Sequence, residues 1–413
     1  MRRGWMIAAA LASALLLGAC GSGDGGTPPA GAGAGAGEAA SAGKGAELDR
    51  DEFRRDMRGL WEDHIAWTRL FIVSAVDDLG DVDVTAARLL RNQKEIGDAI
   101  KPFFGDAAGD RLTELLDEHI LVAADLLTAA KKGDDDAVAR ASDAWYRNGN
   151  AIADFLAGAG VGEKSGLRSM MKGHLDTTLD EATARLSGDY EAEIAAYDEV
   201  RNHIHHMSDA LADGVIAAFP DRFAPEGDDP DAASIRRDMR GLWEDHIAWT
   251  RLFIVSAVDG LADVDVTAAR LLRNQTEIGD AIKPFFGDAA GTRLTKLLNE
   301  HILVAADLVT AAKKGDDKAV AAVSKAWYRN GNAIADFLAG AGVGEKSDLR
   351  SMMKGHLDTT LDEATARLSG DYEAEIVAYD EVRSHIHHMS DALAEGIISA
   401  NASAAAAGDS YDY

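Results

Sequence analysis

The chain has 413 residues, 47% of them hydrophobic and 27% charged, with 42 basic against 70 acidic side chains and a formal net charge of −28. That length allows two or three domains, and so acidic a surface repels phosphate backbones, which argues against nucleic acid as a partner. The single cysteine, Cys20, leaves no intrachain disulfide and no cysteine-based metal site.

The chain opens with Met1-Arg-Arg-Gly, an apolar run from Trp5 to Leu17, and then Leu17-Gly-Ala-Cys20. The run is too short to span a bilayer. The pattern resembles a bacterial lipoprotein leader with its lipobox. The resemblance implies a signal peptide over 1–19, cleavage before Cys20, and a lipid on the Cys20 sulfur. The mature protein would then be anchored to a membrane on its extracytoplasmic face. Residues 20–50, rich in Gly, Ala and Ser, read as a flexible tether.

From here the chain is written twice. Leu60–Ala75 returns letter for letter at Leu242–Ala257, an offset of 182 that runs without a gap from about Arg54 to Ala218. Roughly nine positions in ten agree, so one half is a copy of the other. Met57, Leu60, His64, Trp67, Phe71 and Ser74 recur at helical steps of three and four, and Leu79-Gly80 ends that first helix. Asp83 or Thr85 caps a second, which ends at Pro102-Phe-Phe-Gly105. A third closes at Lys131-Lys132-Gly133, where lysines suit the negative end of the dipole. A fourth spans Asp135 to Leu156, a fifth runs from a Ser165 cap to Leu186 before Gly188, and a sixth covers Asp189 to Phe219. Strand-like alternation is absent.

A finer period lies inside each copy. His64, His119 and His174 are 55 residues apart, each in the first helix of a helical pair. The expected fold is all-α: two tandem six-helix bundles, each built from three αα-hairpins of pseudo-threefold ancestry. The boundaries expected are 51–219 for the first bundle, 220–234 for a proline- and aspartate-rich linker, 235–400 for the second bundle and 401–413 for a disordered tail.

All twelve histidines fall inside the repeats. Counting back from the turn at Gly188 sets His174 level with His203, so Met170, His174, His203, His206 and Met207 could gather imidazoles and thioethers between two helices. Met352, His356, His385, His388 and Met389 repeat the set. Imidazole with thioether suits copper, and imidazole alone suits zinc or copper. Alternatively His64, His119 and His174, with His246, His301 and His356 in the second copy, converge on each pseudo-axis as a three-imidazole site with an open fourth position. The plainer reading is that core histidines are satisfied polar groups, with Asp98 accepting from His64 and Asn148 pairing with His119, and that the methionines fill gaps. Arg69 and Arg251 interrupt an apolar helix; the plainer reading lays the stem along the bundle with its head in water.

The Glu-x-x-His pairs of di-iron bundles, the Cys-x-x-Cys-His of c-type haem, the phosphate-binding glycine-lysine loop and the Gly-x-Ser-x-Gly elbow are all missing. Binding or interaction is therefore expected before catalysis. The ligand would be a transition metal or an envelope protein; a metal-dependent enzyme on the same histidines and a purely structural envelope protein are the alternatives. The blocks Leu-Trp-Glu-Asp-His-Ile-Ala-Trp-Thr-Arg, Ala-Ala-Arg-Leu-Leu-Arg-Asn-Gln, Lys-Pro-Phe-Phe-Gly and Glu-His-Ile-Leu-Val-Ala are similar to a family of helical bacterial proteins from spore formers and actinomycetes. Its members often bear the labels glycosyltransferase or acetylglutamate kinase by transfer. Those activities need an α/β sheet with ligands at strand ends, and no such sheet is expected here.

Overall fold

A computed structural model describes residues 47–225, 227 and 229–407. The expected signal peptide, Cys20 and the expected tether through residue 46 lie outside the described residues, as do positions 408–413 of the expected tail. Twelve α-helices make up the described fold, with no strand among the described residues. In the first half these are α1 (Arg50–Val76), α2 (Val82–Phe104), α3 (Asp106–Lys132), α4 (Asp135–Gly158), α5 (Lys164–Ser187) and α6 (Tyr190–Ala218). In the second they are α7 (Pro230–Asp259), α8 (Val264–Ala281), α9 (Lys283–Lys313), α10 (Asp317–Gly340), α11 (Lys346–Ser369) and α12 (Tyr372–Ala407). No described helix is long and apolar enough to cross a membrane.

Local chemistry sets the helix ends. Asp49, Asp134 and Asp189 each accept a backbone N–H three residues on, and so begin α1, α4 and α6. Gly133 and Gly188 end α3 and α5 in the left-handed region, at φ 67° and 75°. The break between α2 and α3 at Gly105 recurs inside α9 as a kink at Gly287, with φ 82° and ψ 165°. Some expected caps are displaced. Asp81, not Asp83 or Thr85, precedes α2, and Glu163, not Ser165, precedes α5; neither caps with its side chain. The first helix stops at Val76, before Leu79-Gly80.

Each helix packs on the next, and α6 returns to α1, closing a ring of six. Across the centre α1 touches α5 and α3, so the first helices of the three hairpins meet on the axis. Helices α7 to α12 repeat the arrangement. The sequence left the relation between the two halves open; they form one compact unit. Helix α1 lies against α7, α2 against α12 and α6 against α8, and each contact has its mate at the 182-residue offset. This is the symmetry of an isologous dimer written into one chain.

The interface is aromatic and ionic. Trp67 and Trp249 are fully buried. Trp67 meets Tyr379 edge-on at 5.6 Å, and Trp249 meets Tyr197 at the same distance. Arg88 bonds Asp63 at 2.8 Å within its own half and Asp380 at 2.9 Å in the other, as Arg270 does with Asp245 and Asp198. Arg185 joins Glu193 and Asp77 to Asp263 of the second half, and Arg367 mirrors it with Asp81.

Three expectations give way here. Arg69 does not reach water. It is 1% exposed, bonds Glu181 at 3.0 Å and Glu193 at 3.1 Å, and lies 5.1 Å over the Trp249 ring of the other half. The buried carboxylates outcompete solvent for it. The linker is shorter than 220–234, because α7 starts at Pro230. Its first part is docked, with Phe223 buried against Phe53 and Phe103 and a backbone bridge to Leu48 at the end of the expected tether. The expected tail is helical as far as Ala407, since α12 simply continues.

Replacing Arg69 with Met leaves Glu181 and Glu193 buried with one cation fewer. Loss of one partner of such a group costs roughly 3–5 kcal/mol, so urea unfolding of R69M should show a midpoint lowered to match. An unchanged midpoint would mean that the pairs contribute nothing.

Candidate functional site

The convergence on the axis brings three imidazoles together in each half. The His64 and His174 rings lie 5.6 Å apart and His119 and His174 6.0 Å apart, with 5.6 and 6.2 Å for the equivalent pairs of His246, His301 and His356. All six are buried. Burial pushes His64 and His246 down to about 3 and His119 and His301 down to about 4, and holds His174 and His356 well below the usual imidazole range, with the neighbouring rings adding to the effect on His64, His174, His246 and His356. The cluster is therefore uncharged at neutral pH.

Two of the three rings, His64 and His119, are oriented by the second helix of their hairpins. Asn148 donates through Nδ2 to the Leu115 carbonyl at 3.0 Å, so its Oδ1, 3.0 Å from His119 Nδ1, accepts a proton held there. His119 thus presents a bare lone pair at Nε2. Gln93 donates through Nε2 to the Leu89 carbonyl at 2.9 Å and faces His64 Nδ1 with the same nitrogen at 3.2 Å. With that amide orientation His64 Nδ1 accepts and Nε2 carries the proton. The third position differs. His203 uses its Nε2 on the Met170 carbonyl at 2.7 Å, and His174 Nδ1 is left buried without a partner.

The triad stands at the inner end of an apolar cavity of about 160 Å³. Phe71, Ile72, Leu126, Leu179 and Leu186 are among its walls, and Trp145 stacks on His119 at 5.3 Å with its indole N–H buried and unpartnered. From His174 to Leu186 the wall follows α5 for twelve residues, about 18 Å at helical rise, toward exposed Thr183 and half-buried Val138 at the outer end. The counterpart around His246, His301 and His356 measures about 40 Å³.

The His/Met set is only partly assembled. His174 and Met207 are buried, Met170 is half-buried and offers its backbone carbonyl to His203, and His206 is exposed. The second half agrees: His356 and Met389 are buried, Met352 accepts from His385 through its carbonyl, and His388 is exposed at the position equivalent to His206. Hydrogen bonding of His203 and His385 to main chain takes them out of a thioether cluster. No group of three or more His, Cys, Asp or Glu among the described residues is arranged to hold a metal ion. Asn148 pairs with His119 as the sequence suggests, but Asp98 does not reach His64; it sits at the surface between Lys94 and Lys101. Gln93 was the missed partner. The signal for it is the constant offset of 29 residues that links His64 to Gln93, His119 to Asn148 and His174 to His203.

Because the triad stays uncharged when folded but takes protons at 6.5 when unfolded, the unfolded state binds more protons between pH 6.5 and about 3. Stability should fall as pH drops through that window, by roughly 2 kcal/mol per triad imidazole between pH 7 and pH 5. Glu181 and Glu363, which burial pushes up to about 7, act in the opposite sense but are two groups against six. Urea melts between pH 5 and 8 read the net slope; H174L should lose about one proton from it, and a flat profile in the parent protein would contradict a neutral buried triad.

No family model matches the sequence, no curated protein matches it, and no solved structure matches the fold.

Proposed function

We propose that the protein is a lipid-anchored, extracytoplasmic binding protein that holds a small ligand in the cavity of its first half. The observation that carries this reading is an apolar pocket whose closed end is made of three uncharged imidazoles, with His174 Nδ1 and Trp145 Nε1 buried and unpartnered beside it. The same two orphans recur at His356 Nδ1 and Trp327 Nε1 in the second half, so what singles out the first half as the binding half is the room beside its imidazoles, about 160 Å³ against about 40 Å³. The anchor rests on the leader ending at Cys20. Purification from its own membrane without denaturation, followed by native mass spectrometry, should reveal a non-covalent adduct that L179W expels. C20S should release the protein from the membrane fraction. Protein that carries no adduct and takes up none would sink the reading.

A transition metal on the same imidazoles is the second reading. Uncharged imidazole is the form that ligates copper and zinc, and His119 already offers a lone pair. Gln93 Oε1 is buried without a partner. Turning that amide end for end would let Oε1 accept from His64 Nδ1–H and free a second lone pair at Nε2, at the cost of the Nε2 bonds to the Leu89 carbonyl and Asn92 Oδ1. Elemental analysis of the same native sample separates the two: copper or zinc at stoichiometric amount, lost in H119A, favours the metal, and an organic adduct without metal favours the first reading.

A further inference from the structure

We infer that the ligand of the first half is an uncharged alcohol or phenol: a small hydrocarbon body with one hydroxyl, the body in the apolar cavity and the hydroxyl among the imidazoles. The inference rests on the reading of the cavity as a binding site and names the chemistry of its occupant.

Charge is settled by the walls. None of the cavity residues carries a formal charge, since the three histidines are neutral. The desolvation that strips the proton from His64 and His119 would act equally on a carboxylate or an ammonium brought to the same place. Size is settled by the volume. An apolar cavity of about 150 Å³ holds a benzene-sized molecule in a well-studied lysozyme variant, and this one measures about 160 Å³.

The head group follows from the tautomers. His119 presents a lone pair at Nε2 and His64 presents an N–H at Nε2, and neither atom has a hydrogen-bond partner among the described residues. A hydroxyl is the smallest group that can both donate, as the His119 lone pair requires, and accept, as the His64 N–H requires. A ketone or ether could only accept, and would leave the His119 lone pair unmet. A bare hydrocarbon would leave every one of these groups unmet, and leaving buried polar groups unsatisfied lowers affinity.

The second half is not expected to bind. At about 40 Å³ its cavity has room for little more than a water. Each residue that lines it has its counterpart in the first cavity, with Val309 where the first half has Leu127, but the counterparts of Ala130, Val138, Thr183 and Leu186 at the outer end do not line it. The smaller side chain stands in the smaller cavity, so side-chain volume does not make the difference. One molecule per chain is the expected stoichiometry.

Isothermal titration of the metal-free protein with phenol, toluene and benzoate tests this directly, with hexan-1-ol and hexanoate as an aliphatic pair. Phenol should bind once per chain and about tenfold more tightly than toluene, its isostere without the hydroxyl. Benzoate and hexanoate should not bind. In H119F the advantage of phenol over toluene should vanish. Should that variant misfold, the wild-type protein labelled with ¹⁵N-histidine gives the same answer, because phenol should shift the His119 Nε2 resonance and toluene should leave it in place. Toluene binding as well as phenol, or benzoate binding better than either, overturns the alcohol assignment while the cavity remains a binding site. No binding by any of the five overturns both.

Discussion

The structure depends on buried arginines that share carboxylates of both halves. Arg88 spans Asp63 and Asp380, Arg185 spans Glu193 and Asp263, and Arg201 reaches across to Asp245. Each is buried or nearly so, and each has a twin at the 182-residue offset in Arg270, Arg367 and Arg383. Removing one carboxylate from such a buried network is costly, so each half is completed by the other. That explains why two copies of one domain, joined by a short linker, make a single compact unit and not two independent bundles.

The same arrangement separates two kinds of interior. Toward the partner half, α1 turns Asp63 and Trp67, bonded to each other, and Arg69, held by Glu181 and Glu193. Toward its own axis the same helix turns His64, Thr68 and Ile72, which line the cavity. Charge is thus gathered on one face and kept away from the other. The imidazoles lie in an apolar surround where neighbouring rings, and not carboxylates, are the groups that weigh on His174. Neutral histidine in the middle of so acidic a protein is a product of that segregation.

What the sequence showed and what it concealed follow from distance along the chain. Six helices per half were legible because amphipathic spacing and glycine stops are local. The 55-residue period offered the meeting of His64, His119 and His174 as one alternative and left their depth open; the structure brings them together because equal hairpins repeat equal geometry. The role of Arg69 was not legible: its carboxylates are 112 and 124 residues away, and the aromatic face over it belongs to the other copy. The early start of α7 was legible after all. Asp229-Pro230 is an N-cap followed by proline at the first helical position, and a proline count alone had assigned it to the linker. The assembly of His206 with His174 failed because spacing fixes which residues share a helix, and the side-chain bond of His203 to the Met170 carbonyl then decides otherwise.

The mirrored contacts between α1 and α7, and between each arginine and its twin, bear on how this molecule can diverge. In an assembly of two identical chains, any substitution on the shared surface is made twice and damages both reciprocal contacts. Fusion of the two into one polypeptide halves that penalty, because Asp380 can change while Asp198 stays. One copy is then free to drift toward scaffold while its sibling keeps a chamber. A roomy cavity on one side and a nearly closed one on the other is the asymmetry that such a fused ancestry permits and a symmetric pair forbids.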